Sequence, residues 1–171
     1  MTEADADRLR DIYAALPNED CEGCDGCGSK CAGAIPMTRW EFEQVRAYLS
    51  AQPQPEDADD RTRRQAARAA GDASPFSPPC EFRDAERRRC RIYPVRPLIC
   101  RLFGLVEWLP CPLGRWDVRV PDGWDIIAWY GRLQRRSYRE WLQASPADSL
   151  PVAADFRTGG GGADACGRSG R

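Results

Sequence analysis

Eight of the nine cysteines in this 171-residue chain fall into two groups of four. The groups are Cys21, Cys24, Cys27 and Cys31, followed by Cys80, Cys90, Cys100 and Cys111. Two-residue spacers in the first group let a short segment wrap around a small ion, because the amides between the cysteines can turn inward and donate to thiolate sulfurs. The pattern predicts binding of a soft metal through all eight cysteines. Inert buried thiols and a disulfide framework are the alternatives.

The chain has few residues with which to build an ordinary core. Leu, Ile, Val and Phe together number 28 of 171 residues, a fraction at which chains often bury too little surface to fold. Six tryptophans add bulk, and the formal charge is only −1. A small domain with so few core residues needs to be stabilised by covalent cross-links or by a bound metal. We therefore expect a metal-stapled single domain.

Several functional classes are excluded or disfavoured by composition. The chain has no histidine, which rules out histidine acid–base chemistry and mixed Cys/His zinc sites. No apolar run approaches the ~20 residues of a membrane span, and residues 1–7 are too acidic for a secretory signal. We expect a cytoplasmic protein without a membrane partner, and clustered cysteines usually bind metal in that compartment. The near-neutral net charge argues against general electrostatic binding to nucleic acid.

Hydrophobic periodicity predicts a mainly α fold with irregular loops and little β structure. A first helix over 2–16 can be capped by Thr2. Its apolar stripe consists of Leu9, Ile12, Tyr13 and Leu16. Thr38 and Glu41 have the spacing of a capping box at the start of a second helix, which ends near Ser50. The buried face of that helix is Phe42, Val45 and Leu49.

The C-terminal half shows weaker signals. The apolar run over 98–109 is expected to be partly helical, and residues 116–120 alternate well enough for one short strand. A final amphipathic helix is predicted over about 122–144. Its inner face consists of Ile126, Trp129, Tyr130, Leu133 and Trp141.

These elements suggest one cysteine-cluster metal-binding domain over 1–144. Its core is expected at about 18–50 and 80–112. The Pro- and charge-rich segment 51–79 is interpreted as a linker or insertion. The Gly-rich segment 145–171, which contains the ninth cysteine, is predicted to be a disordered tail.

All-thiolate ligation suits both zinc and iron–sulfur clusters. The first group matches a bacterial ferredoxin run except that Ala32 replaces the usual proline. Three cysteines follow one another closely in this group, and this spacing favours an iron–sulfur cluster, of the 4Fe–4S type, modestly over zinc. Either centre is net negative and requires nearby cations. Arg96 and Arg101 stand among apolar residues and prolines, so we expect each guanidinium to bind a carboxylate, a carbonyl or a cluster sulfur.

The cysteine pattern, the capped helix that contains Glu41 and the phrase C-x-I-Y-x-x-R-P-x-x-C-R over 90–101 resemble the YkgJ-type cysteine-cluster family. Members of that family are described as carrying a CxxCxxCC zinc- or iron-chelating domain. The resemblance spans roughly 18–112 and implies metal binding, often as iron–sulfur, without a settled activity. One departure is that Cys27 and Cys31 are separated, whereas the family has an adjacent pair.

Three functions are compatible with these features. The first is an iron–sulfur protein serving redox, sensing or cluster-dependent modification, with a redox or protein partner that the sequence does not identify. The second is a non-enzymatic zinc module whose arginine-rich surface contacts protein or RNA, although interleaved aromatic residues are scarce there. The third is an acid–base or nucleophilic enzyme that uses Glu41, Glu107 or a thiol, but the capping box already explains Glu41. No catalytic residue is assigned.

Overall fold

A computed structural model describes residues 1–16, 31–52, 80–84, 89–114 and 120–144. The elements in chain order are α1 (Glu3–Ala15), α2 (Arg39–Ala51), β1 (Arg83–Asp84), β2 (Arg89–Cys90), a 3-10 helix (Tyr93–Val95), α3 (Leu98–Arg101), α4 (Gly123–Tyr130) and α5 (Tyr138–Gln143). About half of the described residues are helical, and their sheet is a single antiparallel hairpin. The predicted mainly α fold with little β structure is confirmed for this part of the chain.

Side-chain caps fix the starts of α1 and α2. The Thr2 hydroxyl accepts from the Asp5 amide at 3.1 Å, and the Asp5 carboxylate accepts from the Thr2 amide at 3.0 Å. Thr38 and Glu41 form the same reciprocal pair at the start of α2. Each cap satisfies backbone N–H groups that have no partner within the helix. Both caps were predicted from the sequence, and both are confirmed.

The single helix predicted over 122–144 is wrong. Helix α4 ends at Tyr130, and α5 begins only at Tyr138. A third capping box, in which Ser137 and Glu140 cap α5, starts a new helix there. Just before that cap, Arg136 pairs with Met37 in an antiparallel bridge, with N–O distances of 2.9 and 3.0 Å. The Ser-x-x-Glu pattern at 137–140 was the sequence signal for this break.

The buried hydrophobic residues form two separate clusters. The first cluster consists of Leu9, Leu16, Leu98, Leu102, Leu105, Val106, Val120, Ile126, Trp129 and Tyr130. The second consists of Met37, Phe42, Val45, Phe82, Ile92, Val95 and Trp141. The expected stripe of the C-terminal helix is therefore divided, with Trp141 in the second cluster and its other buried members in the first. Helix α3 contributes Leu98 to the first cluster. The same helix carries Cys100, two residues further along the chain.

Some predictions fall outside the described residues. The tail over 145–171 does so entirely, as do all but residues 51 and 52 of the linker over 51–79 and residues 116–119 of the strand predicted over 116–120. The division of the chain into a domain over 1–144 and a tail stays a prediction. No helix in the described ranges has both the length and the apolar character needed to cross a bilayer.

Candidate metal centre

A short antiparallel pair of strands brings two of the predicted cysteine ligands towards each other. The Cys80 carbonyl accepts from the Arg83 amide at 3.1 Å, which turns the chain into β1. Strand β2 returns with Cys90 opposite Arg83. The Arg91 amide then donates to the Phe82 carbonyl at 2.8 Å and closes the hairpin. Cys80 and Cys90 therefore lie at the same end of this hairpin, although nine residues separate them in the sequence.

The thiols of Cys80 and Cys100 are influenced electrostatically by neighbouring cysteines. Burial is the main reason that the pKa of the Cys80 thiol is raised to about 12, and the thiols of Cys31 and Cys90 raise it further. Burial also holds the pKa of the Cys100 thiol well above its usual range, and Cys80, Cys31 and Cys90 act in the same direction. Such effects require short separations between the groups. Cys31, Cys80, Cys90 and Cys100 therefore form one neighbourhood, which we call the thiol cluster.

The thiol cluster combines the two sequence groups. Cys31 belongs to the first group, and the other three members belong to the second. Cys111 lies in a turn closed by a 3.0 Å hydrogen bond from the Gly114 amide to the Cys111 carbonyl, and it is not among the main influences on Cys80 or Cys100. Its role as a ligand stays a prediction. Cys21, Cys24 and Cys27, like the tail residue Cys166, lie outside the described residues.

Two arginines hold the segment that joins Cys90 to Cys100, Arg96 within it and Arg101 just after it. The Arg101 guanidinium donates to the carbonyls of Pro94 at 2.5 Å and of Arg96 at 3.4 Å. The Arg96 side chain donates to the Tyr93 carbonyl at 3.2 Å, and its guanidinium stacks 3.7 Å from the centre of the Tyr93 ring. Of the partners expected for these arginines, a carboxylate, a carbonyl or a cluster sulfur, the structure shows carbonyls. Arg96 also lies close enough to Cys100 to lower the pKa of that thiol against the effect of burial, whereas contact of either arginine with a cofactor stays a prediction.

The sequence indicated only part of the role of Glu41. Beyond the capping box, its carboxylate accepts from the hydroxyls of Tyr13 and Tyr130 and from the amide of Leu98. These three donors lie 28, 89 and 57 residues away in the chain, so local pattern could not find them. One available signal was that both tyrosines stand on apolar helix faces, where a buried hydroxyl needs a partner.

The donor chemistry of the thiol cluster fits a thiolate-bound metal centre. Sulfur ligands select zinc, copper(I) and iron–sulfur clusters over hard cations. Thiols must lose their protons to bind a metal, and the raised pKa values mean that a cation would compete directly with those protons. Within the described ranges, no group of three or more Cys, Asp or Glu side chains is arranged so that it could hold a metal ion. The four described thiols alone are therefore not a formed metal site, and it is their sulfur chemistry that indicates thiolate ligation.

Comparison with known families agrees with this chemistry. The model of the family described as "CxxCxxCC: Putative zinc- or iron-chelating domain" matches residues 21–119, more than half of the chain. The matched range contains all eight cysteines of the two groups. No solved structure matches the chain. The match over the cysteine-bearing region shows that the chain belongs to the CxxCxxCC family of zinc- or iron-chelating domains.

Proposed function

We propose that the protein holds an iron–sulfur cluster through cysteine ligands alone. The observation that supports the proposal is the thiol cluster, in which Cys31 lies near enough to Cys80 and Cys100, both from the other sequence group, to raise the pKa of each thiol. Four thiolates already satisfy one tetrahedral zinc ion. The closely spaced Cys21, Cys24 and Cys27 immediately precede Cys31 and supply more sulfur than such an ion requires. An iron–sulfur centre, of the 4Fe–4S type, accounts better for this excess.

The proposed centre is a redox, sensing or modification cofactor in the cytoplasm, and its partner is a redox protein or another protein. When bound, it would supply electron transfer or a site of cluster chemistry. The chain would supply the thiolates of the two cysteine groups, including Cys111. It would also supply the aliphatic residues of α3, which limit the access of water. Arg96 offers a positive charge beside Cys100 that offsets part of the negative charge of a thiolate-bound centre.

A zinc-binding module that contacts protein or RNA is the second candidate. The specific observation in its favour is that the described thiol cluster has four members, the number in an all-cysteine structural zinc site.

Elemental analysis of the protein purified without oxygen distinguishes these candidates. An iron–sulfur protein is expected to be brown and to contain iron and acid-labile sulfide in similar amounts. Colourless protein with stoichiometric zinc would replace the first candidate with the second. Protein free of any metal after purification and after anaerobic reconstitution would contradict both candidates.

A further inference from the structure

Glu41 is a buried carboxylate that accepts hydrogen bonds from five donor groups. Only 1% of the residue is exposed. Its Oε1 accepts from the Tyr13 hydroxyl and the Leu98 amide, both at 2.7 Å. Its Oε2 accepts from the Thr38 amide at 2.6 Å, the Thr38 hydroxyl at 2.8 Å and the Tyr130 hydroxyl at 2.7 Å. One side chain thus joins α1, α2, α3 and α4, which is more than a helix cap requires.

The contact with Leu98 fixes the start of the helix that carries Cys100. Leu98 is the first residue of α3, and the preceding Pro97 has no N–H to donate. The Leu98 amide is one of the donors that a helix start leaves without an internal partner. Glu41 supplies that partner and thereby holds the first residue of α3.

The end of α3 is held by the same group of residues. Arg101, the last residue of α3, lies with its guanidinium 4.5 Å from the centre of the Tyr13 ring. The Tyr13 hydroxyl, besides contacting Glu41, lies 3.0 Å from the Arg96 carbonyl, to which Arg101 also donates. Cys100 therefore stands between two anchored residues of a four-residue helix. Its position depends on Glu41 at one end and on Tyr13 and Arg101 at the other.

We propose that Glu41 is a positioning residue for the metal centre, which sets the place of the Cys100 sulfur through the Leu98 amide. This inference rests on the proposed metal-binding function. A buried carboxylate with five donors is a costly feature to keep for stability alone, because well-packed apolar residues often replace buried charges without loss. Residues that orient metal ligands through hydrogen bonds characteristically change metal affinity by about 10- to 100-fold when they are replaced.

Glutamine at position 41 tests the proposal with almost no change in shape. Its side chain has one oxygen and one NH2 group where glutamate has two acceptor oxygens. The Leu98 N–H faces one of these positions and the Thr38 N–H faces the other. Neither backbone donor can become an acceptor, so the NH2 group opposes an N–H in either orientation of the amide. Glu41→Gln must therefore disturb the anchor of α3, the cap of α2, or both.

Glu140→Gln is the matched control. Glu140 caps α5 as Glu41 caps α2, with 2.7 Å contacts to the amide and the hydroxyl of Ser137. Glu140 is exposed, and its hydrogen bonds stay within the α5 cap. The control thus removes the same type of cap without altering the contact with α3.

The experiment is a Co²⁺ titration of the reduced, metal-free protein under anaerobic conditions. Thiolate-to-cobalt charge-transfer absorption reports how many sulfurs bind the ion, which stability alone does not change. Circular dichroism first establishes that each variant is folded. Glu41→Gln is expected to bind Co²⁺ at least about tenfold more weakly and with weaker charge-transfer absorption, whereas Glu140→Gln should stay within about twofold of the parent.

Two outcomes separate this inference from the function on which it rests. If the parent takes up no Co²⁺, its iron and sulfide content after anaerobic reconstitution becomes the readout for each variant, and a parent that takes up neither would overturn the proposed function and the inference together. A folded Glu41→Gln variant with the parent's affinity and spectrum would overturn the inference alone.

If Glu41→Gln fails to fold, Tyr13→Phe replaces it, because that change keeps the ring under Arg101 but removes a donor to Glu41 Oε1. Tyr13→Phe should still weaken Co²⁺ binding about two- to tenfold, and unchanged binding in this variant would also reject the inference.

Discussion

Replacing Cys100 with serine should remove most of the bound metal and lower the thermal stability of the protein. Cys100 interacts with all three other members of the thiol cluster. A serine hydroxyl is a hard, weakly acidic ligand that does not replace a thiolate on zinc or on an iron–sulfur cluster. Metal binding and folding are coupled where a centre stabilises a lean core, so a lost ligand lowers stability as well as occupancy.

The measurement is metal content per chain and melting temperature after anaerobic purification. We expect Cys100→Ser to retain less than about a tenth of the parent's metal. Cys24→Ser should have the same effect if the closely spaced cysteines are ligands, as the sequence predicts. Cys166→Ser is the control, because Cys166 stands apart from both groups in the sequence, and it should change neither property. Parental metal content and melting temperature in Cys100→Ser would show that Cys100 is not a ligand.

The second large effect is expected from Trp141→Ala in α5. Trp141 is 2% exposed, and its indole N–H donates to the Met37 carbonyl at 2.8 Å. Its ring also packs against Phe42 and lies beneath the guanidinium groups of Arg39 and Arg136. Truncation of a buried tryptophan leaves a cavity and typically costs about 3–5 kcal/mol. We therefore expect a loss of that size in the free energy of unfolding.

Leu142→Ala provides the control for Trp141→Ala. Leu142 is the next residue of the same helix, but 57% of its surface is exposed. Its truncation should change the free energy of unfolding by less than about 0.5 kcal/mol. Chemical unfolding of metal-loaded protein, followed by circular dichroism, compares the two variants directly. Similar midpoints for both would mean that Trp141 does not hold α5 against α2.

The features that the sequence predicted well depend on residues close together in the chain. The caps at Thr2 and Thr38 need only the next few residues, and the stripe that includes Leu9 and Leu16 follows from helical periodicity alone. The predicted helix over 122–144 failed because its apolar stripe serves two different clusters. The periodicity continues through the break, although the chain turns there and the Ser137 cap starts a new helix.

The arrangement of the site was harder to predict for the same reason. Spacing suggested two groups of cysteines, but it could not show that Cys31 lies near enough to Cys80 to raise the pKa of that thiol. The wider role of Glu41 likewise depends on donors from three other helices. The sequence could identify metal binding by cysteine sulfur as the chemistry of the site. It could not assign which thiols share a neighbourhood, since that is decided by tertiary packing.

X-ray absorption spectroscopy of the anaerobically purified protein tests the central claim most directly. A centre held by these cysteines predicts a first shell of sulfur neighbours at about 2.3 Å from the metal, with additional iron neighbours if the centre is an iron–sulfur cluster. Cys100→Ser should reduce the sulfur count of any metal that remains bound. A first shell made mainly of oxygen or nitrogen, or an unchanged sulfur shell in Cys100→Ser, would contradict this account of the thiol cluster.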